Sequence, residues 1–146
     1  MVSIFEFRDK INSVSTTDIL IQLAQDIEAE NTGEALQQRQ WEQGEDRYGQ
    51  ILGFYSRATE IISKGRKKAG EPYNLFDTGR FWNETYLTAT ISGGDIVFSL
   101  NSKDMKTPVL IQKLGERIFG LEEENMPEFT ESVMNLLINN LNKIIV

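Results

Sequence analysis

Four stretches of the chain hold residues that could do chemistry. Asp77-Thr78-Gly79 has the composition of an aspartic-protease triplet. Acid–base work by paired carboxylates needs a second, matched Asp, which a retroviral-type enzyme obtains by dimerising. Here the triplet follows a turn-rich loop and runs into Arg80-Phe81-Trp82, without the strand pattern of that fold. Asp77 is therefore read as an acceptor for turn amides or the Thr78 hydroxyl, and Gly79 as a site for an unusual backbone angle. Asp46, between Gly44 and Gly49, could suggest a calcium loop. Such a loop needs regularly spaced oxygen ligands and a terminal Glu, and Glu45, Asp46 and Gln50 do not supply them. A turn-stabilising role fits Asp46 better. Gly65 and Gly70 with Lys64, Lys67 and Lys68 lack the glycine–lysine–hydroxyl order of a phosphate loop. Glu122-Glu123-Glu124 reads as a solvated acidic start to the last helix rather than a metal site.

The chain has no Cys and no His. Disulfides, zinc–thiolate sites, His-ligated haem and Cys–His or Ser–His–Asp mechanisms are thereby removed. Sites for Mg²⁺ or Ca²⁺ built from carboxylates alone survive this test. The expectation is a protein that is not an enzyme, with no cofactor and no bound metal. The net charge of -7 favours solubility and disfavours generic wrapping by nucleic acid, so no specific nucleic-acid contact is expected. Lys64, Arg66, Lys67 and Lys68 form a local basic cluster, expected at a helix end. It suits either a solvated helix terminus or contact with an acidic partner.

A second set of residues suits architecture. Gly44, Asp46, Gly49 and Gly53 precede Asp77, Thr78 and Gly79 in a spaced cassette that can hold irregular backbone. Tyr73, Phe76, Phe81, Trp82 and Tyr86 add a dense aromatic group, and Ile118-Phe119 forms an apolar knob between Gly115 and Gly120. These seven side chains are candidates for an interface, where Trp and Tyr use both an apolar body and a polar handle. Packing in the chain's own core is the competing reading.

The elements that must position these residues can be read from periodicity. The 146 residues, 40% apolar and 25% charged, suit a single domain over 1–146 with a mainly helical region at 1–43. No apolar run is long enough for a membrane span, and the first residues lack the pattern of a signal peptide. Cytoplasmic synthesis is the default expectation. Residues 3–13 suit a short amphipathic helix. A second follows a cap among Ser15, Thr16 and Thr17, runs to about Asn31 and breaks or kinks at Asn31-Thr32-Gly33. Residues 34–43 return to helical composition, glutamine-rich, with Leu36 and Trp41 as anchors. A helix is expected over 55–68, capped by Ser56 and stopped by Gly70 and Pro72.

Residues 85–92 and 95–101 flank Gly93-Gly94 and predict a tight β-hairpin. Pairing Ser92 with Asp95 puts Leu87, Ala89, Ile91, Ile96, Phe98 and Leu100 on one face, expected to be core. A further strand could come from 45–54 or from a second chain. A short helix is expected over 106–116. The last helix has Asn125 as its cap, Pro127 in the first turn and Glu128 three residues after the cap. Its stripe of Phe129, Val133, Leu136, Leu137, Asn140, Leu141, Ile144 and Ile145 calls for burial on its own domain or on a neighbour. The expected class is α+β, with N-terminal helices, a central antiparallel hairpin or small sheet, and a long C-terminal helix.

Three ordered segments resemble a known family. They are Gly44-Glu45-Asp46-x-x-Gly49-x-x-Leu52-Gly53-x-Tyr55-Ser56, then Pro72-Tyr73-x-Leu75-x-Asp77-Thr78-Gly79-x-Phe81, then Lys113-Leu114-Gly115-Glu116-x-Ile118-Phe119-Gly120-Leu121 with the terminal helix. Together they span roughly residues 35–145. They resemble the head–tail joining, tail-completion or virion morphogenesis proteins of tailed bacteriophages, particularly those of phages of gut Bacteroidetes. Arg80-Phe81-Trp82 departs from the simpler leucine-containing segment of many broader relatives. The resemblance implies a non-enzymatic structural subunit of the head–tail connector, neck or tail, repeated in a ring. Its implied partners are portal, connector and tail proteins and copies of itself, first in the host cytoplasm and then in the virion. The runner-up from the residues themselves is a small helical adaptor or regulatory protein-binding module. An enzyme using carboxylates and a metal is a distant third.

Overall fold

The structure, a computed structural model, describes residues 15–145. The helix expected over 3–13 lies outside the described residues, as do Val146 and the side chain of Ile145. The described part is α+β: two helices, an irregular segment with two short helices, an antiparallel hairpin, one further short helix and a long C-terminal helix.

Helix α1 spans Thr16–Ala29 and starts where the Ser15 hydroxyl accepts the Thr17 N–H. It stops at Glu30, whose backbone is extended, and α2 resumes over Thr32–Glu42. Gly33 lies inside α2 and is not the breaker. A Cβ there would run into the Leu87 side chain, so the glycine permits close approach of α2 to a strand.

The hairpin consists of β1 (Thr85–Ser92) and β2 (Asp95–Ser102), paired in the expected register with Ser92 opposite Asp95 and Leu87 opposite Leu100. Gly93 and Gly94 have φ of 59° and 87°, as a two-residue hairpin turn requires. The face pattern holds at the base, where Leu87 and Ala89 are buried. Ile91 and Phe98 are each 37% exposed, although Phe98 meets the Phe129 ring edge-on at 5.0 Å and Ile96 packs against the same core. No third strand joins among the described residues. The 45–54 segment contributes only isolated bridges, Glu45 with Ile51 and Phe54 with Pro72.

Helix α3 covers only Arg57–Ile62, far shorter than the expected 55–68. Ser56 caps it as expected. It ends because the Ser63 hydroxyl accepts the Lys67 N–H while Lys64 and Gly65 turn left-handed, with φ of 55° and 81°. Lys64, Arg66, Lys67 and Lys68 therefore lie on a loop beyond the helix. Its Ile61 and Ile62 stand 68% and 82% exposed. Helix α4 is one turn, Arg80–Asn83, and α5 spans Thr107–Leu114.

Two 3-10 turns, Glu116–Ile118 and Glu123–Asn125, lead into α6, Met126–Ile145. Pro127 occupies the first turn as expected. Asn125 does not cap α6, however. Its amide points inward to Gln40 Oε1 at 3.1 Å, and Glu128 pairs with Arg39 at 2.7 Å instead of closing a capping box. Helix α6 docks on its own domain. Phe129 joins Leu23, Ala24, Ile27, Leu36, Leu87 and Ala89 in one core, with Val133, Leu136 and Leu137 packed against it. Each such side chain, fully buried, is worth about 1.5–3 kcal/mol. A second core gathers Trp41, Leu52, Phe81, Ile118 and Phe119.

Candidate functional site

The cassette read from the sequence is assembled around the second core. Trp41 sits fully buried at its centre and donates from Nε1 to the Ile118 carbonyl at 2.7 Å. Phe81 and Phe119 pack on its ring at centroid distances of 5.0 and 5.8 Å. Three of the seven candidate interface residues, Phe81, Ile118 and Phe119, are thus interior. Tyr73 and Trp82 are half-buried, and Phe76 and Tyr86 reach the surface.

The Gly44–Gly53 loop is tied down by Asp46. This carboxylate is fully buried, and its Oδ1 accepts the Tyr48 and Gln50 N–H groups at 2.8 and 2.9 Å. Arg117 reaches Oδ2 at 2.7 Å and also donates to the Leu52 and Leu114 carbonyls. Burial works to raise the Asp46 pKa. The Gln50 N–H, Arg117 and the Tyr48 N–H outweigh it and hold the group below its ordinary value. Gly44 and Gly49 supply left-handed turns, and at Gly53 a Cβ would meet the Tyr73 ring at 2.6 Å.

Gln37 and Gln40 of α2 are buried against polar partners within the chain. Gln40 donates to the Asp46 and Gly120 carbonyls and accepts the Glu122 N–H, while Gln37 accepts the Gly120 N–H. They are buried polar clamps on two loops. The signal was present in the sequence: Gly33, Leu36, Gln37, Gln40 and Trp41 share one helical face, so two glutamines occupy core positions.

The acidic run is not uniformly solvated. Glu123 and Glu124 are exposed, but Glu122 is buried. Its carboxyl is pushed up to about 7 by burial, by a hydrogen bond and charge from Glu45, and by Glu124 and Asp46. Among the described residues, no group of three or more carboxylates is placed to hold a metal ion.

Asp77 belongs to a different arrangement. It accepts neither turn amides nor the Thr78 hydroxyl. It takes Lys106 Nζ at 2.8 Å and lies 3.6 Å from Arg66, and the Lys106 hydrogen bond leads in holding its pKa low. The turn roles fall to neighbours. Asn74 Oδ1 accepts the Phe76 N–H, and Thr78 Oγ1 accepts the Arg80 N–H. Gly79 has φ 85° and starts α4; a Cβ there would press on the Phe76 ring at 3.1 Å. The half-buried Trp82 is anchored by donating to the Asn74 carbonyl and by accepting from Gln38.

Loop 71–79 and α5 enclose a groove of about 560 Å³. Leu75, Phe81, Leu110 and Leu114 line it, with Tyr73 and Phe76 as aromatic wall. Lys67, Arg80, Lys106 and Lys113 contribute four cations, and Asp77 and Asp104 two carboxylates. Both carboxylates are already paired, Asp77 with Lys106 and Asp104 with Arg80. Lys113 and Lys67 instead lie over the rings of Tyr73 and Tyr55. The groove can hold an apolar group beside negative charge, and nothing lining it is poised as nucleophile and base.

Compared with known proteins, the chain matches no family model, no curated protein and no solved structure. No helix among the described residues is long and apolar enough to cross a membrane.

Proposed function

We propose that this chain is a structural subunit of a tailed-phage virion, working in the head–tail connector, neck or tail-completion region. The observation that carries the reading is how the cassette is spent. Gly44, Asp46, Gly49, Gly53 and Gly79 fix loops around Trp41, and the charged Asp77 forms ion pairs. Apolar side chains are left outside, near the hairpin tip (Ile91, Val97) and on α3 (Ile61, Ile62). Such a molecule acts by contact, and a subunit in a closed ring needs distinct surfaces for its two neighbours. Portal, connector and tail proteins and further copies of the chain are its partners in this reading, met in the host cytoplasm and retained in the neck or tail.

The test is imaging of purified particles from a phage carrying this gene, with peptide identification of their proteins. The expected result is this chain in density between head and tail. Its absence from purified, infectious particles would overturn the proposal.

A further inference from the structure

We infer that the groove between loop 71–79 and α5 binds the acidic Glu123–Glu128 turn of a second copy of this chain, in a head-to-tail contact. The inference rests on the virion reading only in taking another copy as the partner. The contact itself is drawn from two mismatched surfaces of one molecule.

The first surface is the groove. It carries a surplus of positive charge on a chain whose net charge is -7. Its two carboxylates are engaged by Lys106, Arg66 and Arg80. Lys67 and Lys113 lie against aromatic rings and the Asn74 amide oxygen, and among the described residues neither makes a direct ion pair, although the Asp77 charge is near Lys67. Met105 stands at the edge of the groove, 83% exposed. An occupant must offer an apolar side chain to the floor and carboxylates to the rim.

The second surface has that chemistry. Glu123, Glu124 and Pro127 are exposed around Met126, itself 41% exposed, and the neighbouring Glu128 is paired with Arg39. Glu45 lies beside the buried Glu122 at the same place and adds negative charge to the border of the turn. The cations of the groove complement that charge. An unbranched Met side chain fits an irregular apolar slot well. The two surfaces differ, so the contact is heterologous: every copy presents one groove and one turn, and the contact repeats.

The experiment is sedimentation velocity on the full chain over a concentration series at low and high salt. Wild type should self-associate, more weakly in high salt, because exposed charge pairs are screened. A groove variant, Met105→Ser with Lys113→Gln, and a turn variant, Glu123→Gln with Glu124→Gln, should each associate at least about tenfold more weakly. All four residues are exposed, so both variants should keep the wild-type melting temperature. Mixed together, the two variants should form a 1:1 dimer and nothing larger, since each retains the surface the other lacks. A wild type that stays monomeric throughout, variants that associate like wild type, or a mixture that fails to dimerise would each overturn the contact. The virion reading stands or falls separately: intact self-association with no chain in particles would remove that role and leave this contact.

Discussion

Replacing Glu122 with Gln should stabilise the protein above neutral pH and leave it nearly unchanged at pH 5. In the folded state burial and neighbouring carboxylates raise this group from an ordinary 4.5 to about 7. Between those values the folded chain holds a proton that the unfolded chain has released. Stability therefore falls as pH rises through that window, because the unfolded state binds fewer protons there. The shift sets a ceiling of about 3 kcal/mol, at about 1.4 kcal/mol per unit. For a domain of this size that corresponds to about 10 °C in Tm. Glutamine cannot ionise, keeps an acceptor for the Asn125 amide and can donate to Glu45. Melting curves of both proteins at intervals from pH 5 to 8.5 provide the test. The wild-type Tm should decline more steeply than the variant's between pH 5 and about 7 and run parallel to it above that, with the residual slope of the variant left by Glu34, whose carboxyl burial also raises. Parallel curves across the range would refute the reasoning. Asp46 and Asp77 do not confuse the measurement. Both are held below an ordinary 3.8, so their contributions are present above that value and lost only as pH falls below it.

Arg117→Leu should destabilise the fold by on the order of 3 kcal/mol, since it leaves Asp46 charged and buried without its cation; urea titration measures it, and a loss under 1 kcal/mol would argue that the backbone amides alone hold the carboxylate. Leu87→Asp should unfold the subunit, whereas Thr90→Asp should be tolerated and Ile91→Asp should fall between them, following their burial; equal losses in thermal melts would contradict the assigned face pattern. Gly79→Val should be severe because φ is 85° and Phe76 lies in the way. Asn74→Ala should also cost about 1–3 kcal/mol, since its side chain serves Tyr55, Lys67 and Phe76; a neutral Asn74→Ala in the same melts would undo that reading.

Where side chains repeat with a clear period, the sequence disclosed the fold. The hairpin register followed from Gly93-Gly94 and strict alternation, and α6 from its stripe after Pro127. The extent of α3 was not legible, because its stop is made by the Ser63 hydroxyl reaching Lys67 and not by the glycine and proline downstream. The loops of the cassette were visible as glycine and aspartate, but their ties were not. Arg117 is 71 residues from Asp46, and Gln40 reaches Gly120 and Glu122 across 80 and 82. Spacing along a chain carries no trace of such pairs. Glu122 and Glu123 are adjacent, one buried and one exposed, and the packing of the Gly49 loop, Gln40 and Asn125 around the first distinguishes them.

The hairpin has two edges of unequal character. On β1 the Ala89 N–H faces away from β2 and is accepted by Glu28 of α1 at 2.7 Å. Its partner Phe98 accordingly turns its own N–H outward on β2, where no strand pairs among the described residues. The sheet therefore has a valence of one. Two copies joined through β2 would close a four-stranded sheet about a two-fold axis and leave no edge for a third. Strand pairing can cap an assembly of these subunits or join two of them, but it cannot propagate one. Any array with more members must be built through side-chain surfaces.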